Sequence, residues 1–240
     1  MLFSSGDGGV TWQVNHAILE HPTRERWNPG AGGLCCHSIQ VAPDGTTYIA
    51  ISAAGAFRSD DDGETFVPIN RDVAADFLPD PEPPEVGQCV HKLLVHPARP
   101  ERLWQQNHCG VYRSDDRGDT WERLDGNGLP SEFGFGLALD PADPDRAWVI
   151  PEEGAGNRVV SGGRVAAWTT ADGGASWSLD GDGLPDPAFT GVLREAASFD
   201  ADGVYFGTQS GSVFARPHGE GRWTEAARQL PPVLSVEAWR

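Results

Sequence analysis

Two short strings pair a thiol with an imidazole two residues on: Cys35-Cys36-His37 and Cys89-Val90-His91. A third, His108-Cys109, sets the same two groups side by side. Residues two apart on a strand share a face, so Cys35 with His37, and Cys89 with His91, are expected to look the same way. Cys and neutral His are zinc ligands, and an imidazole is also the usual acid or base near neutral pH. Against a metal stands the absence of any C-x-x-C or H-x-x-x-H spacing, and small buried Cys is common core filling. The favoured expectation is a polar channel lining with packed thiols, with no metal and no cofactor. A metal-dependent activity at His37, His91 and His108 is the lesser alternative.

Carboxylates offer a second chemistry. Glycoside hydrolysis normally needs two carboxyl groups at a set separation, one kept protonated by its surroundings. Glu85, Glu132 and Glu195 are the candidates for catalysis, with Asp76 and Asp80 also available. Taken singly, each reads more readily as a solvated loop charge. Arg194, next to Glu195, is suited to an anionic sugar, but neighbours on a strand point to opposite faces. Only one of the two can therefore line a channel. Trp27 joins His37, His91, His108 and Arg194 as an expected ligand contact.

What must position these groups is a repeat. Ser5-Gly6-Asp7-Gly8-Gly9-Val10-Thr11-Trp12 returns as Ser59-Asp60-Asp61-Asp62-Gly63-Glu64-Thr65-Phe66 and as Ser114-Asp115-Asp116-Arg117-Gly118-Asp119-Thr120-Trp121. A looser copy is Thr170-Ala171-Asp172-Gly173-Gly174-Ala175-Ser176-Trp177. The central Asp7, Asp61, Asp116 and Asp172 are 54, 55 and 56 residues apart, and a fixed period marks a stacked or radial architecture. An Asp or Ser side chain can bond the backbone of its own tight turn, and Gly permits positive φ there. These four aspartates are expected to build turns. The run Asp60-Asp61-Asp62 lacks the ligand series of a calcium loop.

The pattern S-x-D-x-G-x-[TS]-[WF] resembles the Asp-box, or BNR repeat, of β-propellers. Stretches such as Trp27-Asn28-Pro29-Gly30-Ala31-Gly32-Gly33 and Val86-Gly87-Gln88-Cys89-Val90-His91 resemble a bacterial group of BNR-repeat proteins labelled glycosyl hydrolase or exo-sialidase-like. The resemblance covers nearly all 240 residues and implies an all-β fold of four-stranded antiparallel blades. About 4.5 blades are expected here, as part of a seven-bladed ring. A sialidase should also show three carboxylate-gripping arginines, a Phe-Arg-Ile-Pro-type signature and a Tyr nucleophile. The signature is absent, and Tyr48, Tyr112 and Tyr205 all read as structural, so sialidase activity is not expected.

Short strands punctuated by Gly and Pro fit that architecture, and no segment shows a helical period. The units run about 1–24, 35–68, 89–124, 133–179 and 192–226, with a closing strand at 233–239 that would complete the blade at the other end of the chain. Long connections at about 17–34, 69–88 and 151–164 would crown one face, and loops of that length tend to carry function. They hold Asp80, Glu82 and Glu85, and Glu152, Glu153, Asn157 and Arg158.

The net charge of −17 argues against nucleic acid and anionic membrane surfaces as partners. Four cysteines in 240 residues do not read as a disulfide scaffold. The start has neither a basic nor an apolar leader region, so a cytoplasmic location is expected. Residue 1 falls within a repeat, so an N-terminally incomplete chain is expected too. The leading functional expectation is a binding or scaffold propeller with a polar funnel for a glycan or small polar ligand. The alternative is a glycosyl hydrolase using paired carboxylates.

Overall fold

A computed structural model describes residues 1–30, 32–79 and 82–238; Asp80 and the last residue of the expected closing strand, Trp239, lie outside them. The described residues are all-β, with helical turns of no more than four residues. No helix among them is long and apolar enough to cross a membrane. Four antiparallel sheets follow one another, each with its strands in chain order.

The first is Cys36–Val41, Thr47–Ile51, Gly55–Ser59 and Val67–Pro68. The second is Val90–His96, Arg99–Asn107, Gly110–Ser114 and Glu122–Arg123. The third is Gly134–Leu139, Ala147–Gly154, Ala167–Thr170 and Ser178–Asp180. The fourth is Ala197–Phe199, Gly203–Gly207, Val213–Pro217 and Thr224–Ala227. Ahead of them Phe3–Ser4 pairs with Gln13–Val14 alone. First strands of neighbouring sheets pack on one another, as the inner strands of propeller blades do. The fold is a partial β-propeller.

The four aspartate turns share one hydrogen-bond scheme. One oxygen of Asp61 accepts the Thr65 amide at 2.9 Å and the other the Thr65 hydroxyl at 2.6 Å, while the Ser59 hydroxyl donates to Asp61 at 2.8 Å. Asp7, Asp116 and Asp172 repeat it with Thr11, Thr120 and Ser176. Hydroxyl and amide donors to an ionised carboxylate favour the charged form. The Thr11 and Ser176 hydroxyls thus hold Asp7 and Asp172 down to about 2.

Trp121 and Trp177, which end two of these turns, and Trp223, at the corresponding place in the fourth sheet, each join one blade to the one before it. Trp121 Nε1 donates to the Ile69 carbonyl at 2.7 Å, Trp177 Nε1 to Leu124 at 3.1 Å and Trp223 Nε1 to Asp180 at 3.1 Å. All three rings are buried, so each indole fills the gap between sheets and satisfies its own N–H there. The core accordingly lies between successive sheets, as in the cluster of Tyr48, Leu93, Leu103, Tyr112 and Trp121. Trp12 has no such partner sheet, donates to Gly9 of its own turn, and is 62% exposed.

Two elements depart from expectation. The connection at 151–164 is a hairpin extension: Asn157–Val160 pairs back onto Ala147–Gly154. The tail does not complete the N-terminal blade. Ser235 instead bridges Glu195 in parallel, the Val236 amide donates to the Glu195 carbonyl at 2.7 Å, and the tail thus lies on the fourth sheet. Among the described residues, the two short strands at 3–4 and 13–14 pair only with each other.

Candidate functional site

Three successive inner strands carry a β-bulge at the same place. Cys36 faces Ile51 and Ser38 faces Ala50, which leaves His37 as the extra residue. His91 is the extra residue between Val90 and Lys92, and Phe135 between Gly134 and Gly136. A bulge frees one residue from the ladder and re-aims its side chain. Arg194 stands just ahead of the corresponding strand of the fourth sheet, Ala197–Phe199.

The bulged residues are tied from blade to blade. His37 Nδ1 lies 2.8 Å from the Val90 carbonyl, and His91 Nδ1 lies 2.7 Å from the Gly134 carbonyl. Each acceptor is the residue immediately before the next bulge. A carbonyl can only accept, so both Nδ1 atoms carry a proton and both Nε2 atoms offer a lone pair. Burial holds His91 down to about 3 and lowers His37 and His108 as well. The Arg194 charge adds to the effect at His91, so the ring is neutral at neutral pH.

These groups open onto a cavity of about 550 Å³. Its wall includes Cys35, His37, Cys89, His91, His108, Arg158 and Arg194, with Pro29, Phe77 and Leu78 as apolar patches. His91 stacks on Phe135 with ring centres 4.4 Å apart, and His108 meets His91 edge-on at 5.5 Å. The Arg194 and Arg158 guanidinium groups lie 4.7 and 5.5 Å from the centre of the same Phe135 ring, within cation–π range. Neither has a carboxylate within ion-pair distance among the described residues. Arg194 Nε is buried without a hydrogen-bond partner.

His37, His91, His108 and Arg194 are thus brought together. The other expected contact, Trp27, is not among them. Its indole donates to Thr23 Oγ1 at 2.8 Å, packs on Phe57 and is 8% exposed, so it is core under the loop rather than cavity wall. Asn28, Pro29 and Gly30, just beyond it, reach the cavity instead. Cys109 also turns away from the cavity; burial pushes its thiol up to about 11.

The three candidate catalytic carboxylates do not converge. Glu85 pairs with Arg26 and Glu132 with Arg123, both on exposed loops. Glu195 receives Lys92 Nζ at 2.5 Å and lines a separate cavity of about 270 Å³ between the inner strands, into which Glu237 also faces. Arg194 and Glu195 thus serve two different cavities, as alternation along the chain requires.

A carboxyl that sequence reasoning placed among loop charges proves to be buried. Glu152 is 2% exposed, and burial pushes it up to about 7 against the pull of the Val192 amide, Arg158 and Arg194. Its Oε1 accepts the Val192 amide at 3.1 Å, while Oε2 has no partner among the described residues. A Cβ on Gly191 would come within 2.8 Å of that Oε1, so the chain closes over the carboxyl only because residue 191 is Gly. The sequence signal was the unbroken apolar run Ala147-Trp148-Val149-Ile150-Pro151 leading into Glu152.

The fold and cavity together define a partial β-propeller with a pocket of mixed polar and apolar lining at one end of its inner strands. No protein-family model matches the chain. It is similar to the xyloglucanase Xgh74A of Acetivibrio thermocellus, 28% identical over 156 residues, which cover 58% of this chain and 16% of that enzyme. It is also similar to a xyloglucanase of Hypocrea jecorina, 23% identical over 229 residues, covering 88% of this chain and 26% of the other. Among solved structures, the GH74 xyloglucanase from Xanthomonas campestris superposes with a TM-score of 0.58 at 17% identity, over 83% of this chain and 31% of that one. An ancestral GH74 enzyme gives 0.57 at 19% identity, over 84% and 25%. The chain therefore spans between about a sixth and under a third of these relatives, and at such identity the structural likeness speaks for the fold.

Proposed function

We propose that the chain binds a glycan or another small polar ligand in the 550 Å³ cavity, as part of a glycoside hydrolase-like propeller. The observation that carries this reading is the pair of guanidinium groups, Arg158 and Arg194, on one aromatic ring without a carboxylate among the described residues. Arg158 is exposed and Arg194 half-buried, with its Nε unpartnered among the described residues, so ligand oxygens would supply the acceptor that Arg194 lacks and pair with both charges. The lone pairs on His37 and His91 would accept from ligand hydroxyls. Likeness to xyloglucanases supports a sugar as the ligand class.

Hydrolysis by this chain is the second reading, favoured by that same likeness. The comparisons support it better than binding alone, while the cavity, lined by no carboxylate among its described residues, supports binding. Calorimetric titration with xyloglucan oligosaccharides and with a uronate-bearing oligosaccharide tests the first. Binding should weaken about tenfold or more in Arg194→Ala and in Arg158→Ala, the loss of a hydrogen bond to a charged group. Failure of the folded protein to bind either sugar class, or affinity unchanged from the parent protein in both variants, would overturn it. Release of reducing sugar that survives both variants would move the site elsewhere.

A further inference from the structure

We propose that Cys89, His91 and His108 hold a divalent transition metal ion, zinc by preference, with one coordination position open to the cavity. One ligating atom from each of the three lies within 4.8 Å of the other two. Cys89 and His91 come from one inner strand and its bulge. His108 comes from the turn that joins Arg99–Asn107 to Gly110–Ser114 in the same sheet. The whole ligand set therefore belongs to one blade.

Two features go beyond proximity. The first is orientation. His91 donates Nδ1–H to the Gly134 carbonyl at 2.7 Å, the outer-shell bond that fixes the tautomer of a metal-ligating histidine and aims Nε2 at the ion. The second is freedom to close. His108 makes no side-chain hydrogen bond among the described residues, and its ring meets those of Phe77, His91 and Phe133. It can turn inward to the bond lengths of about 2.0–2.3 Å that zinc requires.

Thiolate and imidazole donors select zinc and its neighbours over magnesium or calcium. Three protein ligands and an open fourth position make an exchangeable site rather than a closed structural one. Arg158 and Arg194 raise the cost of a bare dication. A Cys89 thiolate cancels one charge, and an anionic oxygen in the open position, drawn by the two guanidinium groups, cancels another. The ion would take the His91 lone pair offered above to a ligand hydroxyl and leave His37, Arg158 and Arg194 to a sugar, so the ion is tested without one.

The test needs no sugar. Protein purified without chelator is analysed for bound metal, and chelator-stripped protein is titrated with Co²⁺ and then Zn²⁺. The expected result is close to one equivalent, with a thiolate-to-cobalt charge-transfer band that disappears in Cys89→Ser. His108→Ala should weaken binding by more than about 100-fold, beyond the cost of losing an outer-shell partner. His91→Gln is the riskier variant because that ring is packed on Phe135, so His108→Ala, at the turn, keeps the test decisive. Less than about a tenth of an equivalent in folded protein, or affinity unchanged in both Cys89→Ser and His108→Ala, would refute the site.

Discussion

Replacing Glu152 by Gln should make the protein more stable at neutral and alkaline pH. The carboxyl is 2% exposed and is pushed from its ordinary 4.5 to about 7 by burial. In the unfolded chain it ionises near 4.5, whereas in the native state it keeps its proton until about 7. Between those values the native state binds the extra proton, so stability falls as pH rises through the window and levels off above it. At about 1.4 kcal/mol per tenfold, the loss amounts to about 3 kcal/mol. Gln stays neutral, keeps an acceptor for the Val192 amide, and gives the empty Oε2 side a donor. Urea denaturation at pH 4, 5, 6, 7 and 8 should show the two proteins close together at the acid end. At pH 8 the variant should lead by about 2–3 kcal/mol. Parallel curves across the whole range would show that Glu152 does not titrate abnormally, and the reasoning from burial would fail.

Asp116→Asn should lower the melting temperature at neutral pH, at a cost of about 1–2 kcal/mol for weakened turn bonds. Burial pushes the Asp116 carboxyl up, but the Thr120 and Ser114 bonds prevail and hold it below the usual range. Its contribution is therefore present above about pH 4 and fades as pH falls; an unchanged melting temperature at pH 7 would contradict the turn role. Trp177→Phe keeps most of the buried ring but removes the donor to Leu124, so a loss of about 1 kcal/mol in denaturant titration is expected. Trp27→Phe should cost stability through the lost Thr23 bond while leaving sugar affinity within twofold, and a large affinity loss would return Trp27 to the ligand contacts.

The blade architecture was legible because its signal is local and repeated. Each aspartate turn is specified by eight consecutive residues, and the side-chain bonds of its central aspartate stay within them. The gathering of His37, His91 and His108 was legible for a related reason: two inner strands carry the same Cys-x-His string, and the blades are in register. What could not be read was anything set by pairing across the chain. The bulges at His37, His91 and Phe135 exist only relative to the strands opposite. Glu152 reads as a loop charge until Asn157–Val160 folds back and Gly191 closes over it. Trp27 lies in a connection full of polar residues, and only the packing of Phe57 and His21 against it marks it as core. The tail at 233–238, expected to pair at the N-terminal end, instead lies beside Glu195, a placement set by pairing across the chain.

The row of bulges has a bearing on how this protein can change. A residue excluded from the ladder is released from strand pairing, yet His37 and His91 spend that release on bonds to the Val90 and Gly134 carbonyls of the next blade. Changing either imidazole would therefore alter the pocket wall and the junction between two blades at once. A substitution at one bulge is felt by the blade beside it, which ties any change of recognition to a change in how the blades are held together.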